Sequence, residues 1–200
     1  MDELGQRLLT TIRVNRISTT EIADCLGKSG AISGVHPLTA GYFRAGPVFF
    51  VYARDESNYE LHEQLREAPA GSIVVIEETG CNERAVFGSL VSKFIMLYRQ
   101  CEAIVACATL RDAPRLLKER WPIWCRGVTP IGCFNSPLER PVDPVWLAER
   151  RAFYEGALAV CDDSGVVIIP KAVQTEAFAE KLRVIEWQED AWFFCIDTLK

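Results

Sequence analysis

Apolar and polar positions along this chain repeat with two periods, and the period changes several times between the ends. Leu4, Leu8, Leu9 and Ile12 recur at helical spacing, predicting an amphipathic helix over residues 3–14. Ser18 followed by Glu21 has the form of a capping box, opening a second helix that stops near Gly27. Turn residues then dominate: Gly30, Gly34, Pro37, Gly41, Gly46 and Pro47, in a spacing that matches neither a dinucleotide fingerprint nor a P-loop. Residues 48–53 form an apolar run of strand length, and Arg54-Asp55-Glu56-Ser57 reads as a turn and cap before a helix reaching Ala68. Residues 72–76 read as a second buried strand. Residues 84–98 read as a helix with Val86, Leu90, Phe94 and Leu97 roughly on one face, and residues 103–108 as a third strand.

The second half continues the alternation. A short helix to Arg120 precedes a strand at 122–125, an irregular proline-rich loop over 127–144, and a helix opened by Pro144 that ends at Tyr154. Residues 158–161 and 166–169 pair as strands around Asp162-Asp163-Ser164-Gly165, whose adjacent aspartates lack the spacing of a calcium loop. Residues 175–186 form a last helix with Phe178, Leu182 and Ile185 inward. The terminal Ala191-Trp-Phe-Phe-Cys-Ile196 is expected either as a core strand or as a contact with another subunit. This order gives an α/β fold with substantial parallel pairing in a single domain: residues 1–17 as an N-terminal helix, 18–170 as the main unit, and 171–200 as a C-terminal helix and apolar tail.

Chemistry concentrates after the third strand, where the apolar run ends in Arg111-Asp112. Ligands collect beyond the carboxyl ends of parallel strands. An arginine offers a fork for a carboxylate, and an aspartate offers a hard oxygen to a divalent cation. The alternative is a structural ion pair in which Asp112 caps the helix beginning at Ala113. Free amides at Gly88, Ser89 and Leu90 are expected near a helix start and suited to an anion. Asn58 and His62 lie one turn apart on one helix, and a packed histidine is the simpler role for His62.

Composition narrows the classes. The formal net charge of −5 disfavours nonspecific contact with nucleic acid or anionic membrane. No apolar run approaches a membrane span, and no secretory leader is read near the start, so the expected location is the cytoplasm. The eight cysteines are scattered without any Cys-x-x-Cys, which fits reduced, buried thiols, and two histidines argue against a histidine-rich metal centre.

Read in order, the motifs resemble the family of the regulator of ribonuclease activity A and the 4-hydroxy-4-methyl-2-oxoglutarate/4-carboxy-4-hydroxy-2-oxoadipate aldolases. The likeness runs over about residues 18–170, from Ser18-Thr-Thr-Glu-Ile-Ala-Asp-Cys-Leu-Gly27 through Pro37-Leu38, Gly46-Pro47, Asn58 and His62. It continues with Pro69-Ala-Gly-Ser-Ile-Val-Val-Ile76, Gly80, Arg84, Ala85, Gly88 and Leu90, then Arg111-Asp112, Arg126-Gly127 and Asp162 to Pro170. The resemblance implies a swivelling β/β/α-type domain, assembled as a trimer or a dimer of trimers with sites at subunit interfaces. It implies a lyase that cleaves a small 2-oxo acid, by retro-aldol reaction or decarboxylation, through a pyruvate-like enolate. In that scheme Arg111 holds the substrate carboxylate, Asp112 supports a weakly held Mg2+ or Mn2+, and Gly88, Ser89 and Leu90 line the substrate.

Several positions depart from the family pattern. Ser89 stands where an acidic residue is usual, Cys107-Ala108 where Asp-Gly is usual, Arg115 where an acid is usual, Glu78-Thr79-Gly80 in place of a glycine-rich triplet, and Gly156-Ala157 in place of Gly-Asp. Glu78 and Cys107 are therefore candidates to supply the missing acid–base function. A non-catalytic regulator, or a family member turned to a different reaction, is the alternative function.

Overall fold

The computed structural model describes residues 1–199; Lys200, the last position of the expected C-terminal unit, lies outside them. The elements run α1 (Glu3–Asn15), α2 (Thr19–Cys25), β1 (His36–Pro37), β2 (Arg44–Arg54), α3 (Tyr59–Leu65), β3 (Ile73–Thr79), α4 (Ser89–Lys93), β4 (Ala103–Leu110), α5 (Ala113–Glu119), β5 (Ile123–Val128), α6 (Pro144–Tyr154), β6 (Leu158–Asp162), β7 (Gly165–Ile169) and α7 (Glu176–Thr198). A π-helical turn, Phe94–Tyr98, continues α4. The strand order is β1-β5-β4-β3-β2-β6-β7, with β2 to β5 parallel and the remaining pairings antiparallel.

Strand β2 belongs to both halves of this sheet. Arg44 to Pro47 pair antiparallel with β6, and Val48 to Arg54 pair parallel with β3, so the partner changes at Pro47. A proline with no N–H to donate suits that break in the ladder. The strand alternation then sorts side chains into layers. Val74, Ile76, Ile104 and Ala106 face α3, α4 and α5 together with Leu61, Ile95 and Leu116. Ile73, Val75, Ala103 and Val105 face the opposite way, onto Ala159, Cys161, Val166 and Ile168 of β6 and β7. The other side of β6 and β7 (Leu158, Val160, Val167, Ile169) is covered by α1, α2 and α7. Two β layers between helical layers give the mixed α/β single domain expected from the sequence.

Most local expectations hold for visible reasons. Ser18 and Glu21 form the reciprocal capping box, and Asp143 caps α6 just before Pro144. Asp162 closes the β6–β7 turn by accepting from Ser164 N at 2.8 Å and from the Thr19 amide and hydroxyl at 2.8 and 2.7 Å, so the turn reading stands. All eight cysteines are free thiols, six of them buried.

Three regions take a form that the sequence pattern does not disclose. The helix expected from residue 84 begins at Ser89, because residues 85–87 are extended and bridge to the 131–133 loop and to the end of β4. Of that helix, Ser89, Ser92 and Ile95 are buried, while Leu90 and Leu97 of the apolar stripe are 79% and 60% exposed. The terminal apolar stretch is no strand. It extends α7 to 23 residues, of which Phe178 and Leu182 are buried.

Candidate functional site

The corner after β4 is built by backbone pairing that brings two distant segments beside it. Val86 N donates to Thr109 O at 3.0 Å and Arg111 N donates to Phe87 O at 3.0 Å, which lays residues 85–87 along the end of β4. On their other side, Ala85 N donates to Ile131 O at 2.8 Å and Cys133 N to Ala85 O at 3.0 Å. Arg111 therefore leaves β4 between Gly88 and Gly132. A Cβ on Gly88 would stand 2.3 Å from Asp112 Oδ2 and 2.8 Å from Arg111 Cγ; one on Gly132 would stand 2.7 Å from Arg111 Nη1. Close approach, not backbone conformation, requires glycine at Gly88, whose φ is −142°.

Asp112 adopts φ +62° and makes no side-chain cap on α5, so the capping alternative fails. Its Oδ2 instead accepts from Ser89 N at 3.0 Å and Ser89 Oγ at 3.2 Å, capping the start of α4. The left-handed backbone at Asp112 turns the carboxylate back toward α4, and Gly88 leaves the space for it. The Ser89 amide is thus already occupied, and the hydroxyl acts as a donor to Asp112. Leu90 is 79% exposed and does not line the Arg111 cleft.

Arg111 is exposed, and among the described residues no carboxylate pairs with its guanidinium and no hydrogen bond holds it. An unpaired fork beside a cleft of about 230 Å3, lined by Arg111, Asp112, Pro114, Val128, Thr129 and Pro130, is suited to an external anion. Asn58 ties the flanking segments together: its Nδ2 donates to Val86 O at 2.9 Å and its amide to Phe134 O at 3.0 Å. Asn58 Oδ1 and His62 Nε2 are buried without partners.

Burial, followed by the nearby Arg111 guanidinium, lowers the His62 pKa below its ordinary value of 6.5, against an upward pull from Glu63. The unfolded chain therefore binds the proton more readily. Stability from the neutral ring is complete above pH 6.5 and falls as pH drops through and below it. Binding of a carboxylate at Arg111 offsets the guanidinium, so the His62 pKa is expected to rise on addition of pyruvate. With two histidines in the chain, NMR titration reads this directly, and an immobile His62 resonance would remove pyruvate from the corner.

Two supporting candidates lie elsewhere. Cys107 is buried against β6 and β7, and burial followed by Glu77 pushes its thiol up to about 12, so it does not supply a thiolate at neutral pH. Glu78 accepts from Cys81 N at 3.0 Å and faces Arg126 at 3.5 Å. It lines a separate polar cleft of about 490 Å3 with Glu83, Arg84, Thr109 and Arg126, joined to the Arg111 cleft by Val128 and Thr129. Gly132 and the 128–130 wall also belong to the corner, and their one trace in the sequence is a glycine among prolines in a loop.

Among the described residues no three His, Cys, Asp or Glu side chains cluster to hold a metal. At the corner the donor set is one carboxylate, with Oδ2 engaged by Ser89 and no hydrogen bond to Oδ1. That set fits a hard, mostly hydrated dication and does not fit a stripped ion such as zinc.

A sequence model of the RraA-like family, described as Aldolase/RraA, matches residues 19–168. A protein of Halalkalibacterium halodurans named "Putative 4-hydroxy-4-methyl-2-oxoglutarate aldolase" is 28% identical over 183 residues, covering 88% of this chain and 82% of its own. Two crystal structures share the fold. One, an uncharacterized protein of Pseudomonas syringae pv. tomato, is 20% identical with TM-score 0.73, covering 96% of this chain and 93% of its own. The other is Streptomyces coelicolor RraAS2, described as an unusual member of the RNase ES inhibitor RraA protein family. It is 24% identical with TM-score 0.70, covering 96% of each chain. No helix among the described residues is long and apolar enough to cross a membrane.

Proposed function

Because this chain belongs to the RraA-like family of aldolase and RraA proteins, we propose that its Arg111 corner binds the carboxylate of a small 2-oxo acid and that the protein is a lyase for that acid. The observation that carries this reading is the unpaired Arg111 guanidinium, seated between the Gly88 and Gly132 backbones with no protein carboxylate closing it. Water solvates this exposed guanidinium in the free protein, and its fork stays available to an external carboxylate. In the reaction, Arg111 orients the substrate by two parallel N–H···O contacts, and Asp112 is held in place by Ser89. A hydrated Mg2+ or Mn2+ at Asp112 Oδ1 would supply positive charge to offset the charge developing on the 2-oxo oxygen as the carbon–carbon bond breaks. Ser89, with its hydroxyl committed to Asp112, positions that carboxylate; in retro-aldol cleavage the 4-hydroxyl proton passes to water in the cleft, and after cleavage or decarboxylation the enolate regains a proton from water. The reading includes assembly as a trimer or a dimer of trimers.

Pyruvate release from oxaloacetate and from a 4-hydroxy-2-oxo diacid, measured with Mg2+ and corrected for the protein-free rate, tests it. Arg111→Lys is expected to lower turnover by about tenfold or more, because one ammonium cannot replace a bidentate fork. A second reading, a carboxylate-responsive binding protein, is favoured by the serine at position 89 and the sparse metal donors. Pyruvate binding that depends on Arg111 without any product release would select it. Absence of both binding and release would overturn both.

A further inference from the structure

Two of the scattered cysteines meet beside the Arg111 corner. Cys81 sits in the tight turn after β3, where Arg84 N donates to Cys81 O at 2.9 Å, and its side chain is fully buried. Cys133 follows Gly132 on the loop that pairs with residue 85, its amide donating to Ala85 O at 3.0 Å. That pairing joins side chains that are far apart in the sequence. Both pack on the core beneath α3, α4 and α5, and the two thiols hydrogen-bond each other. Cys133 is only half-buried, so one thiol of the pair is open to solvent and the other is not.

Their surroundings divide the two thiols. Arg84 spans the loop on both sides of Cys133: its Nη1 donates to Gly132 O at 3.2 Å, and its guanidinium lies 4.7 Å from the centre of the Phe134 ring. The hydrogen bond from Cys81, aided by Arg84, lowers the Cys133 pKa below its ordinary value of 9.0, against burial and the carboxylates of Glu78 and Glu56. The same hydrogen bond, followed by burial, raises Cys81, which keeps its proton. Burial alone is enough to raise Cys25, Cys101, Cys107, Cys125 and Cys161, and none of these is set up to react. Partial exposure, a bias toward thiolate and a second thiol within reach are what an oxidant-sensing cysteine requires.

We propose that Cys81 and Cys133 form a peroxide-responsive pair, in which Cys133 reacts first and Cys81 resolves it to a reversible disulfide. The Cys133 thiolate attacks one oxygen of hydrogen peroxide. The O–O bond breaks, Cys133 becomes a sulfenic acid, and the departing hydroxide takes up the proton shed by the thiol and leaves as water. The Cys81 sulfur then attacks the sulfenic sulfur, the S–O bond breaks, and a second water leaves with the Cys81 proton. Two thiols are oxidised by two electrons in all, and the peroxide is reduced to two waters. The new bond ties the loop carrying Gly132, against which Arg111 is seated, to the turn after β3. The proposal does not depend on the lyase reading.

The test treats the full chain carrying Cys195→Ser, which removes the exposed thiol, with hydrogen peroxide in slight excess and maps its peptides. A peptide pair linked through Cys81 and Cys133 is expected, with loss of two hydrogens from the intact mass and full reversal by dithiothreitol. Amide exchange over residues 131–136 should slow by about tenfold or more on oxidation and recover on reduction, because a cross-link restricts local opening. In Cys81→Ala, Cys133 should stop at the sulfenic acid and be trapped by dimedone; in Cys133→Ser, Cys81 should stay reduced. The peptide map of the parent needs no substitution in the core, so a poorly folded Cys81→Ala leaves the test intact. Absence of the Cys81–Cys133 link, a link from Cys133 to any other cysteine, or unchanged exchange over the loop would overturn the proposal.

Discussion

Gly88→Ala is expected to abolish carboxylate binding at the Arg111 corner while leaving the rest of the fold in place. The added methyl would lie 2.3 Å from Asp112 Oδ2, 2.8 Å from Arg111 Cγ and 3.0 Å from Asp112 Cγ. Only the first of these atoms is at a side-chain tip, and it is fixed by two donors from Ser89. Both site residues must therefore move, at a cost of about 1–3 kcal/mol for overpacking. Gly132→Ala provides the contrast. Its nearest contact is Arg111 Nη1 at 2.7 Å, the free end of a long side chain that can swing aside. It should redirect the guanidinium, weakening pyruvate binding by about tenfold or more, with less change in melting temperature. Pyruvate titration and thermal unfolding of both variants check this. A Gly88→Ala variant that binds pyruvate like wild type would show that the corner is not the site.

The difference between these glycines also shows what the sequence discloses. The Arg111-Asp112 corner is legible because an apolar run that ends in two adjacent charges marks a buried strand reaching the edge of its sheet. The layer order is legible from strand alternation, with Ile73 and Val75 on one face and Val74 and Ile76 on the other. Residues 84–88 are not legible. Their apolar spacing fits a helix, but residues 85–87 take backbone partners from Thr109, Arg111 and the 131–133 loop, and no local window contains those. The face of α4 is hidden for a related reason: Leu90, Phe94 and Leu97 do form a stripe, but Leu90 and Leu97 lie open to solvent. Periodicity reports that a face is apolar without reporting what covers it. Asp112 does cap a helix, but not the one that follows it in the chain. Its left-handed backbone, invisible in sequence, sends the carboxylate to α4 instead of α5.

Glu60→Ala is expected to give the largest loss of stability among single changes near the site. Arg54, at the carboxyl end of β2, has a side chain only 3% exposed. Its Nε and Nη2 donate to Glu60 at 3.1 and 2.5 Å, its Nη1 to Asp55 at 2.9 Å and its Nη2 to Arg140 O at 2.5 Å. Removing Glu60 takes away the bidentate partner and leaves a buried guanidinium with one carboxylate that is itself 61% exposed. Breaking such a pair costs about 3 kcal/mol, a fall in Tm of roughly 6–12 °C for a chain of this length. Arg54→Met should cost less, because it removes the buried charge and leaves Glu60, 31% exposed, with access to water. The consequence reaches the site through the loop that Arg54 anchors. Ser57 Oγ donates to Ser136 O at 2.7 Å and Phe134 N to Glu56 O at 2.7 Å, so the same turn fixes the segment that carries Gly132. Both variants should therefore weaken pyruvate binding in proportion to loop release, read as faster amide exchange over residues 130–140. Equal stability of Glu60→Ala and wild type, or a greater loss in Arg54→Met, would mean that the ion pair does not hold this loop.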